Sequence, residues 1–183
     1  LDRHDLIGPL LLAARIALAC IFVTAAVGKL RHLTVFEGVL ANYRLLPRWA
    51  VAPAHVLLPL LELSVGLALI IVPRIAALSA ALLLSIFAGA MAVNLRRGRT
   101  DIDCGCHQST LRQRLSWTLV GRNAVLVGVS ILAAAPAPTV SLSAWLTGAG
   151  AGVGVFALYC AMNSLWALGA ATRRRIRFAG VTP

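Results

Sequence analysis

Five apolar runs constrain this chain more than any other feature of its sequence: residues 6–28, 50–72, 75–95, 117–135 and 142–170. A helix needs about 20 largely apolar residues to cross a hydrocarbon core of about 30 Å. In lipid every backbone N–H and C=O must be bonded within the segment, so each run reads as a transmembrane helix. The first run could pass for a signal-peptide core, but Arg15 lies inside it and basic residues follow Gly28, so it reads as a retained span. The chain begins at Leu1 rather than Met, and a preceding segment is allowed for. Of 183 residues, 60% are hydrophobic and 13% charged, and no soluble domain remains once the spans are removed. The expectation is an all-α, polytopic membrane helical bundle over residues 1–183. Four spans make its core, and a fifth transmembrane helix packs on them through the run Gly148, Gly150, Gly152, Gly154, whose small-xxx-small spacing favours close helix contact.

The leftovers are two connectors of roughly 20 residues, two short ones and a basic tail over 171–183. In the first connector Leu33, Phe36, Val39, Leu40 and Tyr43 recur at three- and four-residue spacing, which predicts a short helix along the membrane surface, ended by Pro47. The net charge of +11 resides in these pieces. No folded basic face is left to bind nucleic acid, so no nucleic-acid partner is expected. Thirteen Lys and Arg fall on one side of the five spans, two on the other (Arg3 and Arg74) and two within spans (Arg15 and Arg122). That bias predicts an integral inner (plasma) membrane protein with its N-terminus outside and its C-terminus and 96–116 connector cytoplasmic. Trp49, Trp117 and Trp166 near the inner boundary and Trp145 near the outer one agree with it. The tail Arg173-Arg174-Arg175-Ile176-Arg177 is expected to touch anionic membrane lipid.

Chemistry concentrates in the 96–116 connector, where Cys104-Gly105-Cys106-His107 follows Asp101 and Asp103 among five arginines. A disulfide between residues i and i+2 needs a bent backbone, which Gly105 adopts without a Cβ clash; such a bridge is strained and easily exchanged. Arginine and protonated His107 favour the attacking thiolate, while the two aspartates oppose it. The sharper rival is metal: Cys104, Cys106 and His107 offer two soft thiolates and an imidazole to a thiophilic ion. Thiol redox chemistry is the more economical reading, since a closed zinc site wants a fourth ligand and only His32 is at hand on that side.

Ionisable residues inside a membrane are functional candidates by default. Arg15 and Glu62 lie about nine and ten residues in from the outer ends of their spans, so at 1.5 Å per residue they are expected to share a depth and pair. Asn94, Arg122 and Asn123 are expected to form a polar floor beneath the cysteine connector, with Lys29 near an inner helix end. Cys20 and Cys160 read as inert core residues, and His55 as a hydrogen-bonded structural residue.

Several segments together resemble the methylamine-utilisation protein MauE family, a relative of DoxX-type membrane proteins. They are Gly28-Lys29-Leu30, Tyr43-Arg44-Leu45-Leu46-Pro47, Leu58-Pro59 with Glu62 and Gly66, and Asn94-Leu95-Arg96-Arg97-Gly98-Arg99. The series continues through Asp103-Cys104-Gly105-Cys106, Ser116-Trp117 and Arg122-Asn123, over about residues 10 to 130. The resemblance implies a redox-associated membrane protein that forms or supplies disulfides with a thioredoxin-fold partner, in the founding case for a cysteine-rich periplasmic subunit. The family pattern continues Cys-Gly-Cys with Phe-Gly, where this chain has His107-Gln108. The expected function is membrane thiol–disulfide exchange by Cys104 and Cys106, with His107 as base and Arg122 as thiolate stabiliser. A lipid-borne quinone is a candidate electron partner, because the pair sits at the lipid boundary. A thiolate-based metal transporter or metallochaperone and a non-catalytic membrane assembly factor are the alternatives.

Overall fold

The apolar runs fold as helices, and among the described residues there is no strand. The structure, a computed structural model, describes residues 3–100, 102, 114–137 and 141–179. Its elements are α1 (Arg3–Arg31), α2 (Leu33–Tyr43), α3 (Arg48–Ile71), α4 (Pro73–Arg96), α5 (Trp117–Ala133) and α6 (Leu142–Ala179). Four of them, over Leu6–Arg31, Arg48–Ile71, Pro73–Arg96 and Leu142–Trp166, are long and apolar enough to cross a membrane. Helix α1 is the hub: α3, α5 and α6 all pack on it, and α4 closes a four-helix core by joining α3 to α5.

Close approach, not bulk, holds this core. Ala19, Ala76, Ala77, Ala80 and Ala133 are buried in it, together with Leu18, Leu69 and Phe22. Small residues let helix backbones approach within lipid, where no hydrophobic driving force acts between them. At Gly66 of α3, a Cβ would meet Val23 Cγ2 at 2.9 Å and Phe22 Cβ at 3.1 Å, so this glycine fixes the antiparallel register of α3 on α1. Large apolar side chains face outward instead: Leu57, Leu61, Ile70 and Ile71 on α3, and Ile75, Leu78, Leu82 and Ile86 on α4 are exposed. In water such a surface would drive aggregation, whereas in a bilayer it is the lipid contact.

The expected surface helix forms as α2. It buries Phe36 and Tyr43, and ends where Arg44 takes the left-handed conformation at φ 49°. Helix α5 is shorter than its run, with 17 residues and a rise of about 26 Å. Pro136 and Pro138 follow, and a proline bars its predecessor from helical geometry, so the chain turns out at Ala134. The amides of Ala134 and Ala135 cover the carbonyls of Ser130, Ile131 and Leu132, which leaves the carbonyl of Ala133, the last of α5, and that of Ala135 just beyond it. The buried Arg15 of α1 meets them, donating from Nε to Ala133 O at 3.0 Å and from Nη2 to Ala135 O at 2.7 Å. A guanidinium fork suits two carbonyls at once and complements the negative end of the helix dipole.

Helix α6 runs parallel to α1 and docks on it through two of its five glycines. A Cβ at Gly148 would lie 2.8 Å from Pro9 O, and one at Gly152 would lie 2.7 Å from Ala13 O, whereas Gly150 and Gly154 face open space. Backbone cannot shift cheaply, so Gly148→Ala and Gly152→Ala should each destabilise the bundle by about 1–3 kcal/mol. Gly150→Ala and Gly154→Ala should be neutral or stabilise by about 0.5–1 kcal/mol, from the lost flexibility of the unfolded helix. Thermal melts of the four variants in one detergent check the alternation; equal melting temperatures would refute the docked face.

Candidate functional site

Lys29 lies two residues before the end of α1, and its Nζ donates to Oε1 of Glu62 on α3 as an ion pair. Both residues are buried, at 5% and 2% exposure. The ammonium is also flanked by two aromatic rings, with its nitrogen 5.3 Å from the Phe36 centroid and 5.1 Å from that of Phe87. Ring faces attract a desolvated cation, so α2 and α4 each contribute to holding the charge. Glu62 Oε2, the second carboxylate oxygen, is buried and without a hydrogen-bond partner.

Opposite this pair stand Arg122 and Asn123, consecutive on α5. Arg122 donates from Nη1 to Oδ1 of Asn163 on α6 at 2.9 Å, and its guanidinium lies over the Tyr159 ring, 5.8 Å from the centroid. Tyr159 is seven residues past Gly152, two turns along the same helix face, so the glycine contact that docks α6 also aims Tyr159 inward. Lys29, Glu62, Arg122, Asn123 and Tyr159 line one cleft, whose remaining wall is apolar: Ile21, Phe22, Ala25, Leu84, Phe87 and Leu126. The arrangement can bind a group that both donates and accepts hydrogen bonds and carries an apolar body.

The expected Arg15–Glu62 pair does not form. Gly66 packs against Phe22 and Val23, so Glu62 stands level with about residue 26 of α1, and Arg15 lies about 17 Å further along. Helix α3 extends some nine residues past the level of α1's end, which makes depths counted from the ends of the apolar runs misleading. Arg15 serves the carbonyls of α5 instead. The expected floor of Asn94, Arg122 and Asn123 is brought together only in part. Asn94, fully buried on α4, donates to Ala90 O at 3.1 Å and accepts from Arg99 Nη1 at 3.4 Å, away from the cleft. His55 is half-buried, and its Nδ1 has no hydrogen-bond partner, contrary to the bonded role expected of it. Cys20 and Cys160 are free thiols.

Cys104, Cys106 and His107 lie outside the described residues. The two ends of their connector are placed, however. Leu115 N donates to Ile102 O at 3.0 Å, and Leu115 is buried with Tyr43, Met91 and Leu119, against which Ile102 and Val120 also pack. Leu119 and Val120 are one helical turn before Arg122 and Asn123. Sequence reasoning named Lys29, Glu62, Arg122 and Asn123 but missed Phe36, Phe87, Tyr159 and Asn163. Of these, Asn163 alone carried a signal, as an amide within an apolar run.

A family model described as methylamine utilisation protein MauE matches residues 7–136, from the start of α1 to just past α5. The chain is 43% identical over 172 residues to the methylamine utilization protein MauE of Paracoccus denitrificans, covering 91% of this chain and 92% of that protein. It is 44% identical over 166 residues to the protein of the same name from Paracoccus versutus, covering 86% and 88%. With that of Methylorubrum extorquens it shares 45% identity over 114 residues, 61% of each chain. No solved structure matches the chain.

Removing one member of the buried ion pair strands the other, so Glu62→Gln should cost about 3–5 kcal/mol, and Lys29→Met with Glu62→Leu should recover much of it. Arg15→Met should cost about 1–3 kcal/mol by leaving carbonyls unmet. Combined with Glu62→Gln, it should be additive within about 0.5 kcal/mol, since the two share no partner. Double-mutant cycles from unfolding in detergent test both statements; coupling between Arg15 and Glu62 would contradict the observed pairing.

Proposed function

The chain belongs to the methylamine utilisation protein MauE family, and from that premise we propose that it is a membrane thiol–disulfide oxidoreductase, or disulfide-supply protein, acting through Cys104 and Cys106. Its relatives are named for methylamine utilisation, and that is the setting in which the exchange would serve. The observation that carries the reading is the closure of the connector. The Leu115–Ile102 hydrogen bond draws its two ends together on the bundle, and Ile102 is two residues from Cys104. A thiol pair on such a connector would work at the membrane face and meet a folded partner there.

In the forward step, one thiolate of a thioredoxin-fold partner attacks a sulfur of the Cys104–Cys106 disulfide. An S–S bond to the partner forms, and the other cysteine leaves as thiolate. The partner's second thiolate then attacks the mixed disulfide, so the partner is oxidised by two electrons and the pair is left as dithiol. His107 would take the proton of an attacking thiol. Arg122, one turn from Leu119 and Val120, would favour the thiolate form. The arginine bias supports a cytoplasmic side for the connector and the basic tail.

Cys104→Ser and Cys106→Ser should both abolish exchange, and at least one should accumulate a partner complex that reductant dissolves. His107→Ala should slow the reaction and shift its pH dependence. A metal-carrying protein would instead lose bound metal in all three variants, with no trapped complex. Retention of full function by both serine variants would remove the pair from the mechanism.

Orientation has its own test. An impermeant thiol reagent added to intact cells should miss Cys104 and Cys106 and should label Ser141→Cys, at the opposite end of the bundle. Labelling of the native pair from outside would reverse the assignment.

A further inference from the structure

We infer that the cleft between α1, α3, α5 and α6 binds the polar head of a lipid-borne quinone, with Glu62 Oε2 accepting a hydrogen bond from the quinol hydroxyl. The cleft is built around an acid that is 2% exposed yet has one oxygen unbonded. An unmet carboxylate oxygen in a low-dielectric site calls for a donor. Lys29 bonds Oε1, so Oε2 is the oxygen left for a ligand's donor. The far wall offers the complementary chemistry, since the guanidinium of Arg122 and the amide of Asn123 can donate to a carbonyl.

Among molecules that travel within a bilayer, a quinone and its quinol combine these needs in one ring. The quinol hydroxyl donates, the quinone carbonyl accepts, and the alkyl tail suits a wall of Ile21, Leu84 and Leu126. A phosphate group has acceptors only and would leave Glu62 Oε2 unmet; the ammonium of phosphatidylethanolamine can donate, so that lipid is the competitor set against the quinol below. The site also stands where a carrier would be used, one helical turn beyond the leucine cluster that anchors the connector.

The carrier's use rests on the thiol–disulfide reading; its binding does not. When the Cys104–Cys106 dithiol closes to a disulfide, two S–H bonds are lost, and two electrons and two protons pass to the quinone. Its two carbonyls become the hydroxyls of the quinol, so atoms and electrons balance without another reactant.

The test uses the full chain in nanodiscs and a decyl-substituted benzoquinol kept reduced, with an azido derivative as photolabel. Label should appear on α1 or α5 around Ala25 and Leu126, and excess decyl-benzoquinol should displace it. Loss of a hydrogen bond to a charged group should weaken binding at least about tenfold in Glu62→Gln. Asn123→Leu, which leaves the ion pair intact, should also weaken it severalfold. Binding should persist in the variant carrying both Cys104→Ser and Cys106→Ser, which lacks the exchange chemistry. Label elsewhere, displacement by phosphatidylethanolamine but not by the quinol, or unchanged affinity in Glu62→Gln and Asn123→Leu overturns the inference. A trapped partner complex together with no quinol binding would leave the exchange reading standing and this one refuted.

Discussion

A charge pair placed between helices in lipid determines how those helices must sit, and the Lys29–Glu62 contact does so here. Either residue alone would carry an uncompensated charge in a medium that cannot solvate it, so α1 and α3 are held at one rotation and one depth. Gly66 supplies the close approach that the pair requires, one turn along α3 from Glu62, where a methyl group would strike Val23. Phe36 and Phe87 bring α2 and α4 to the same ammonium. The surface helix is therefore tied to the core through an aromatic face as well as through its own apolar side, and four elements converge on one cation.

Arg15 answers a different demand with similar chemistry. A helix of 17 residues falls short of a hydrocarbon core about 30 Å thick, and its final carbonyls have no intrahelical donors. A lysine could meet one carbonyl; the guanidinium meets two. One buried cation in α1 thus balances an acid, and the other balances backbone. Each is placed by the partner it satisfies and by nothing in its own helix.

That distinction marks where the sequence was legible and where it was not. Runs of apolar residues are a property of single segments, and the helices they predicted are all present, as is the 33–43 helix read from the spacing of Phe36 and Tyr43. The glycine face of α6 was legible for the same reason, although spacing alone did not separate Gly148 and Gly152, which touch α1, from Gly150 and Gly154, which do not. Glu62's partner was misassigned because depth was counted from the ends of runs, as if all helices began level. Helix α3 begins far past the end of α1, and only the Gly66 contact reveals the offset. Arg15's partner was invisible to any search for opposite charges, since backbone carbonyls occur at every position. Tyr159 and Phe87 enter the cleft from separate helices and carry no mark in the sequence that distinguishes them from core aromatics.

Helix α6 belongs to the chemistry as well as to the packing. Without α6, Arg122 would lose the Asn163 amide and the Tyr159 ring, and the cleft beside Glu62 would lose a wall. The distance at which those groups reach Arg122 is set two and three turns away, by glycines that admit no Cβ against α1. A contact chosen for backbone proximity therefore tunes a polar site well removed from it. The family match ends at residue 136, yet the Paracoccus relatives align over most of the chain, so the α6 wall falls within the shared length. A four-helix core would suffice to bury the Lys29–Glu62 pair; adding α6 gives the polar face beside that pair a further wall through Tyr159, leaving a half-open cleft between helices, the kind of place where ligands bind in helical bundles.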